Sequence, residues 1–208
     1  EYLTILAKAC HVELAQSREE IEALTNGTEL LGVYQDNDIE TWRDFLYYLA
    51  QTLGCFATMD RFGKLLLVPY RNVADKAVGS RHRFSSSFSD FVTRYTALSS
   101  TNKKTETAEY YAKDPDDGLT MNLGVNPLLQ FGLEETRKRI INAILDAICM
   151  VEYVPFDSET IGDPALDLGD VLKFTGGHAD ETKISAITYI NTKIYGKQSL
   201  RCVGKNPR

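Results

Sequence analysis

Apolar positions in the first third of the chain follow a helical period and then switch to a strand-like one. Ile39, Trp42, Leu46, Leu49 and Leu53 recur at alternating steps of three and four, which lines one face of a helix over residues 38–53. Asp38 is placed to cap that helix, Glu40 adds negative charge near the positive end of its dipole, and Gly54 ends it. Trp42 lies on the apolar face and is expected in the core, where truncation to alanine would cost about 3 to 5 kcal/mol. Residues 55–59 and 64–68 read as strands around Asp60-Arg61-Phe62-Gly63, whose glycine can take the positive φ of a short hairpin loop.

Upstream, Leu3, Leu6, Ala7 and Cys10 share a helical face, and Ser17 with Glu20 forms a capping box for a second helix stopped by Asn26-Gly27. Residues 30–34 fit either a short strand or an extended link. Residues 72–87 are small, polar and basic without periodicity, which places a domain boundary near Phe84. The longest basic stretch, 71–83, is interrupted by Asp75 and reads as a solvated loop.

Beyond it, residues 91–100 and 105–112 read as strands joined at Asn102-Lys103-Lys104, and a turn at 114–118 precedes a strand over 119–123. Leu133, Arg137, Ile140, Ile141, Ile144, Leu145 and Ile148 mark one face of a helix over 133–150 that must pack on a sheet. Strands follow at 171–175, 183–194 and 198–203, with Gly196-Lys197 as the last turn. The fold class is α+β. An α+β domain over 1–84, with helix 38–53 and hairpin 55–68, leads to a β-rich domain over 85–208, barrel-like or sandwich-like, covered by helix 133–150.

The segment LAQTLGCFATMDRFGKLLLVPY, followed by DDGLTMNLGVNPLLQFG, an apolar helix and EYVPFDSETIGDPALDLGDVLKFTG, is similar in order and spacing to bacteriophage and prophage tail-hub and tail-tip proteins. The resemblance covers most of residues 35–203 and rests on turns and apolar runs, not on a catalytic signature. It implies a non-enzymatic assembly role in the baseplate hub or tail-tip complex, as a minor structural protein of the virion tail assembled in the bacterial cytoplasm. It further implies a homotrimer around the tail axis that meets distal tail and tail-tube proteins, with receptor-binding or fibre proteins as further candidate partners. Such proteins often carry C-terminal fibre or lytic modules, and a chain that opens on Glu1 is compatible with an excised fragment or a processed product.

Composition narrows the alternatives. With 208 residues and 43% hydrophobic content the chain can bury a real core. A net charge of −6 and pI near 5.2 argue against specific nucleic-acid binding or attraction to anionic membranes, because phosphate contacts need clustered cations. No apolar run approaches a membrane span, so no membrane insertion is expected. Cys10, Cys55, Cys149 and Cys202 lie far apart without a CxxC pair and read as reduced, mostly buried thiols.

Candidate chemistry is thin, and no catalytic, cofactor-binding or metal residue is assigned. Asp114, Asp116 and Asp117 invite a calcium reading, but Gly118 is fifth and Val125 twelfth where an EF-hand needs Gly sixth and Glu twelfth. Asp163, Asp167 and Asp170 could in principle form an acid–base pair, yet their Pro and Gly neighbours mark turns. His11, His82 and His178 are isolated, and no GxSxG, P-loop or HExxH sequence occurs. Two alternatives stay open: a host-surface carbohydrate-binding module, for which the aromatic residues would supply the platform, and a cell-wall hydrolase or peptidase, which would need a cleft with a perturbed carboxylate or a Cys-His pair. Tyr47-Tyr48 and Tyr110-Tyr111 are the pairs expected to expose one ring each.

Overall fold

The computed structural model describes residues 1–33, 37–130, 132–180, 182–193 and 196–206. They form two compact units that are both discontinuous in sequence. The first takes Glu1–Tyr70, Thr96–Asp116 and Thr120–Cys149, and the second takes Arg71–Tyr95, Asp117–Leu119 and Met150–Arg208.

The first unit opens with α1 (Tyr2–Ala9), which buries Leu3, Leu6 and Ala7, while Cys10 caps it and stays exposed. Helix α2 (Arg18–Glu22) carries the expected Ser17–Glu20 capping box but ends at Ala23, before Asn26-Gly27. Asn26 takes a left-handed conformation (φ +56°) that asparagine tolerates. Its side-chain amide donates to the carbonyls of Thr52 (2.9 Å) and Ile140 (3.1 Å). Residues 30–33 form no strand, and Tyr34 lies outside the described residues.

Helix α3 (Trp42–Thr52) is shorter than the pattern implies. Its cap is Thr41, whose hydroxyl accepts from the Asp44 amide while the Asp44 carboxylate accepts from the Thr41 amide, so Asp38 does not cap. This register turns Phe45, not Trp42, into the core. Phe45 is 8% exposed, whereas Trp42 is 43% exposed and lies edge-on against Phe45. Gly54 follows at φ +58°, a backbone conformation that favours glycine, and a Cβ there would sit a tight 3.1 Å from that of Ala147.

The hairpin forms as expected from β1 (Cys55–Met59) and β2 (Leu65–Pro69), with Gly63 at φ +75° and the Asp60 carboxylate accepting from the Phe62 and Lys64 amides. Residues 13–15 run along the outer edge of β2. There the Leu65 amide donates to Glu13 and the Leu65 carbonyl accepts from Ala15.

Helix α4 (Glu134–Cys149) presents the expected face, burying Arg137, Ile140, Ile141, Ile144, Leu145 and Ile148, although Leu133 is exposed. It packs on α3 and on β6 (Thr107–Ala112) of a sheet ordered β6-β5-β7, where β5 is Thr93–Asn102 and β7 is Leu119–Gly124. The helix belongs to the first compact unit together with the N-terminal hairpin, and the chain crosses between the two units at several points, where the sequence suggests one boundary near residue 84.

In the second unit, the stretch expected to be a solvated loop contains β3 (Lys76–Gly79), which pairs in parallel with β10 (Val171–Thr175). That pairing makes it structure, with Val78 buried. Strand β10 also pairs with β11 (Ile184–Ala186), and a short β8 (Glu152–Tyr153) pairs with the start of β5. A second sheet is antiparallel, ordered β12-β13-β9-β4, from β4 (Arg83–Phe88), β9 (Phe156–Ile161), β12 (Tyr189–Thr192) and β13 (Lys197–Cys202).

Val78, Leu172 and Phe174 from one sheet and Phe156, Leu200 and Cys202 from the other share one core. This is a sandwich-like packing, not a closed barrel. Arg83 is half-buried: it donates to the Thr175 carbonyl at 3.0 Å and to that of Gly176, and its guanidinium lies 5.8 Å from the Phe174 ring centre. Burial lowers its pKa.

Candidate functional site

The acidic segments are occupied by turn formation. Asp116 accepts from Thr96 Oγ1 at 2.8 Å and from the Tyr110 hydroxyl, and these bonds, Tyr110's foremost, hold its carboxyl below the usual range. Asp117 pairs with Arg94. Asp163 accepts from the Ala165 amide (3.0 Å) and pairs with Lys76, and Asp170 accepts from the Asp167 amide (2.8 Å). Asp75, from the basic stretch, accepts from the Val171 amide at 2.8 Å. These carboxylates close loops and start strands, and Asp75 and Asp170 both lie against the Arg71 guanidinium, at 2.8 and 3.9 Å.

No group of three or more His, Cys, Asp or Glu able to hold a metal occurs among the described residues. His11 sits in a left-handed turn, His82 in a single 3-10 turn (Ser80–His82), and His178 follows Gly176-Gly177. Cys55 and Cys202 are buried as expected, whereas Cys10 is exposed and Cys149 partly so. Burial pushes the Cys55 thiol up to about 12, which makes it a packing group and not a nucleophile.

The NPL segment has a structural task. Asn126 is fully buried, and its amide donates to the Tyr48 carbonyl and to Gln51 Oε1, both at 3.1 Å. Its Oδ1 accepts from the Leu128 amide and so starts the 3-10 turn Pro127–Leu129 that packs on α3.

Two grooves of comparable size mark the first unit. One, of about 470 Å³, lies along α1 and α2, and of its charged residues Arg18 pairs with Glu22, Glu29 pairs with Arg139, and Glu1 also lines it. The other, of about 480 Å³, lies between α3, β1 and β7 and is walled by Tyr47, Phe56 and Tyr70. Tyr47 is 59% exposed, with Tyr48 edge-on behind it, and Phe56 and Tyr70 have ring centres 6.1 Å apart. Arg43 is the one charged side chain among the described residues of the lining. Tyr110 is likewise exposed and Tyr111 partly buried, so each tyrosine pair exposes one ring as the alternation expects. Tyr70 and Met121 carry no signal in the sequence pattern, because they come to the groove only through tertiary packing. The arrangement offers apolar walls and one cation, which suits binding.

No family model matches the sequence, and no curated protein matches it. Solved structures do. The chain is similar to the 43 kDa tail protein of prophage MuSo2 from Shewanella oneidensis, at TM-score 0.54 and 11% identity, over 98% of this chain and 61% of that one. It is also similar to the tail protein from Neisseria meningitidis MC58, at TM-score 0.52 and 9% identity, over 96% of this chain and 65% of that one. The chain thus has the fold of these phage tail proteins and spans about three fifths to two thirds of their length.

Proposed function

We propose, from that shared fold, that the chain is a structural component of a phage or prophage tail and acts by assembly, not catalysis. The observation that carries this reading is the match over nearly the whole chain to two tail proteins. The use of the acidic residues as turn formers supports a non-enzymatic role. The finer placement is the baseplate hub or tail-tip complex at the distal end of the tail tube, as a homotrimer in contact with distal tail and tail-tube proteins. The motif order in the sequence supports that placement.

Immunogold electron microscopy of particles released on prophage induction, with antibody to this chain, tests the reading. Gold at the distal tip is the expected outcome, and intact tails without gold would overturn it, given an antibody shown to bind native protein. Light scattering of the purified chain tests the trimer. Release of peptidoglycan fragments by purified chain, abolished in Asp163, Asp167 or Asp170 variants, would favour the hydrolase alternative.

A further inference from the structure

The two outer edges of the β1–β2 hairpin are treated differently. Because the Leu65 amide and carbonyl both bond to residues 13 and 15, Leu65 faces away from β1. The alternation of an antiparallel ladder then makes Thr58–Leu66 and Phe56–Val68 the bonded pairs. The Ala57 amide and carbonyl therefore point away from β2, and neither has a partner among the described residues. Pro69, opposite Cys55 at a non-bonded position, removes no ladder bond. Strand β7 is likewise terminal in its sheet, without a second strand partner among the described residues, and Ala57 and Met121 line the same groove.

We infer that this groove accepts an extended, carboxylate-bearing segment of a partner protein by strand addition to β1. Bare edges are normally covered or blunted, and here one edge of the hairpin is covered while the other is left open beside aromatic walls. Main-chain bonds to Ala57 set the register. Tyr47, Phe56 and Tyr70 receive alternate apolar side chains, and Arg43, facing no carboxylate among the described lining residues, selects an acidic one. A match to the five residues of β1 spans about 17 Å at roughly 3.4 Å per residue. The proposal rests on the tail reading only for the identity of the donor, another tail protein, because the site itself stands on the hairpin geometry.

The test is selection of a display library of random peptides, each about twelve residues long so as to overrun a strand of ordinary length, on the full chain. The selected peptides should share an acidic residue among alternating apolar ones. They should bind Ala57→Pro, which removes the outward amide and no bond of the β1–β2 ladder, and Arg43→Glu at least about tenfold more weakly than the wild type, with the thermal midpoint of each variant retained. Peptides that bind Ala57→Pro as well as wild type, or recovery of none, overturn the proposal. If Ala57→Pro does not fold, amide exchange in the wild type decides: the Ala57 amide must slow at least about tenfold with peptide bound, and unchanged exchange refutes strand addition. Saturable binding of a bacterial surface oligosaccharide with no peptide recovered would make the groove a glycan site. Correct peptide behaviour without gold at the tail tip would remove only the tail donor.

Discussion

Gln16 holds Leu67 as a neighbouring strand would: its Oε1 accepts from the Leu67 amide at 2.9 Å and its Nε2 donates to the Leu67 carbonyl at 3.0 Å. One side chain thereby satisfies both outward main-chain groups of a strand residue. Gln16→Leu should cost about 1 to 3 kcal/mol, since two partly buried backbone groups lose their partners. Urea unfolding of the variant checks this, and an unchanged midpoint would mean that water replaces the amide without loss.

Phe45 and Trp42 exchange the roles that helical spacing alone suggests. Phe45→Ala should destabilise by about 3 to 5 kcal/mol and Trp42→Ala by about 1 kcal/mol, because only the former empties a buried site. Paired denaturant curves decide, and equal losses would place Trp42 in the core after all.

Legibility followed locality. The Ser17–Glu20 box, the Gly63 hairpin and the buried face of α4 were readable because each depends on residues within a few turns of one another. The α3 start departs from the apolar spacing because Asp38 and Thr41 are both competent caps, and the capping box with Asp44 selects Thr41. Strand β3 carries no periodicity, since it has a single buried residue and its pairing comes from β10, nearly a hundred positions later. The groove was hidden for the same reason: Tyr47, Phe56, Tyr70 and Met121 converge only in the fold. The turn role of the acidic segments was legible from their Pro and Gly neighbours.

Arg137 is almost fully buried, donates to Gln130 Oε1 (3.0 Å) and Ser100 Oγ (3.2 Å), and holds Nε 3.2 Å from Glu109, a charge contact whose angle falls short of a hydrogen bond. Burial would raise the Glu109 carboxyl, but hydrogen bonds from Tyr111 and Asn102 and the charge of Arg137 outweigh it and hold it below its ordinary value. The folded value thus lies under the unfolded value of about 4.3. This stabilisation is present above that pH and is lost as pH falls through the folded value. Tyr111→Phe removes one of those bonds, so acid unfolding followed by circular dichroism should begin at higher pH. Arg137→Met should cost about 3 kcal/mol at neutral pH by stranding Glu109.

Asn126→Ala should destabilise by about 1 to 3 kcal/mol, because it leaves the Leu128 amide without its acceptor and removes the bonds to the Tyr48 carbonyl and Gln51 Oε1 inside the first unit. Thermal unfolding measures it, and an unchanged midpoint would mean that water replaces the Asn126 side chain without loss.

Thiol alkylation of the native protein should label Cys10 first and Cys149 more slowly, leaving Cys55 and Cys202 unmodified until unfolding. Mass spectrometry of a time course checks the order. Early labelling of Cys55 would mean that the groove opens to its floor.

The interleaving of the two units bears on how the molecule is made and cut. Its chain passes from one unit to the other at residues 70, 95, 116, 119 and 149, so neither can be completed from one continuous stretch as it leaves the ribosome. The first waits for α4 to emerge, while β3 and β4 are synthesised long before β9 and β10, the strands they pair with. A protease that nicks a link between the units should yield fragments that stay associated until denatured, and subcloning either half at residue 84 should give insoluble protein.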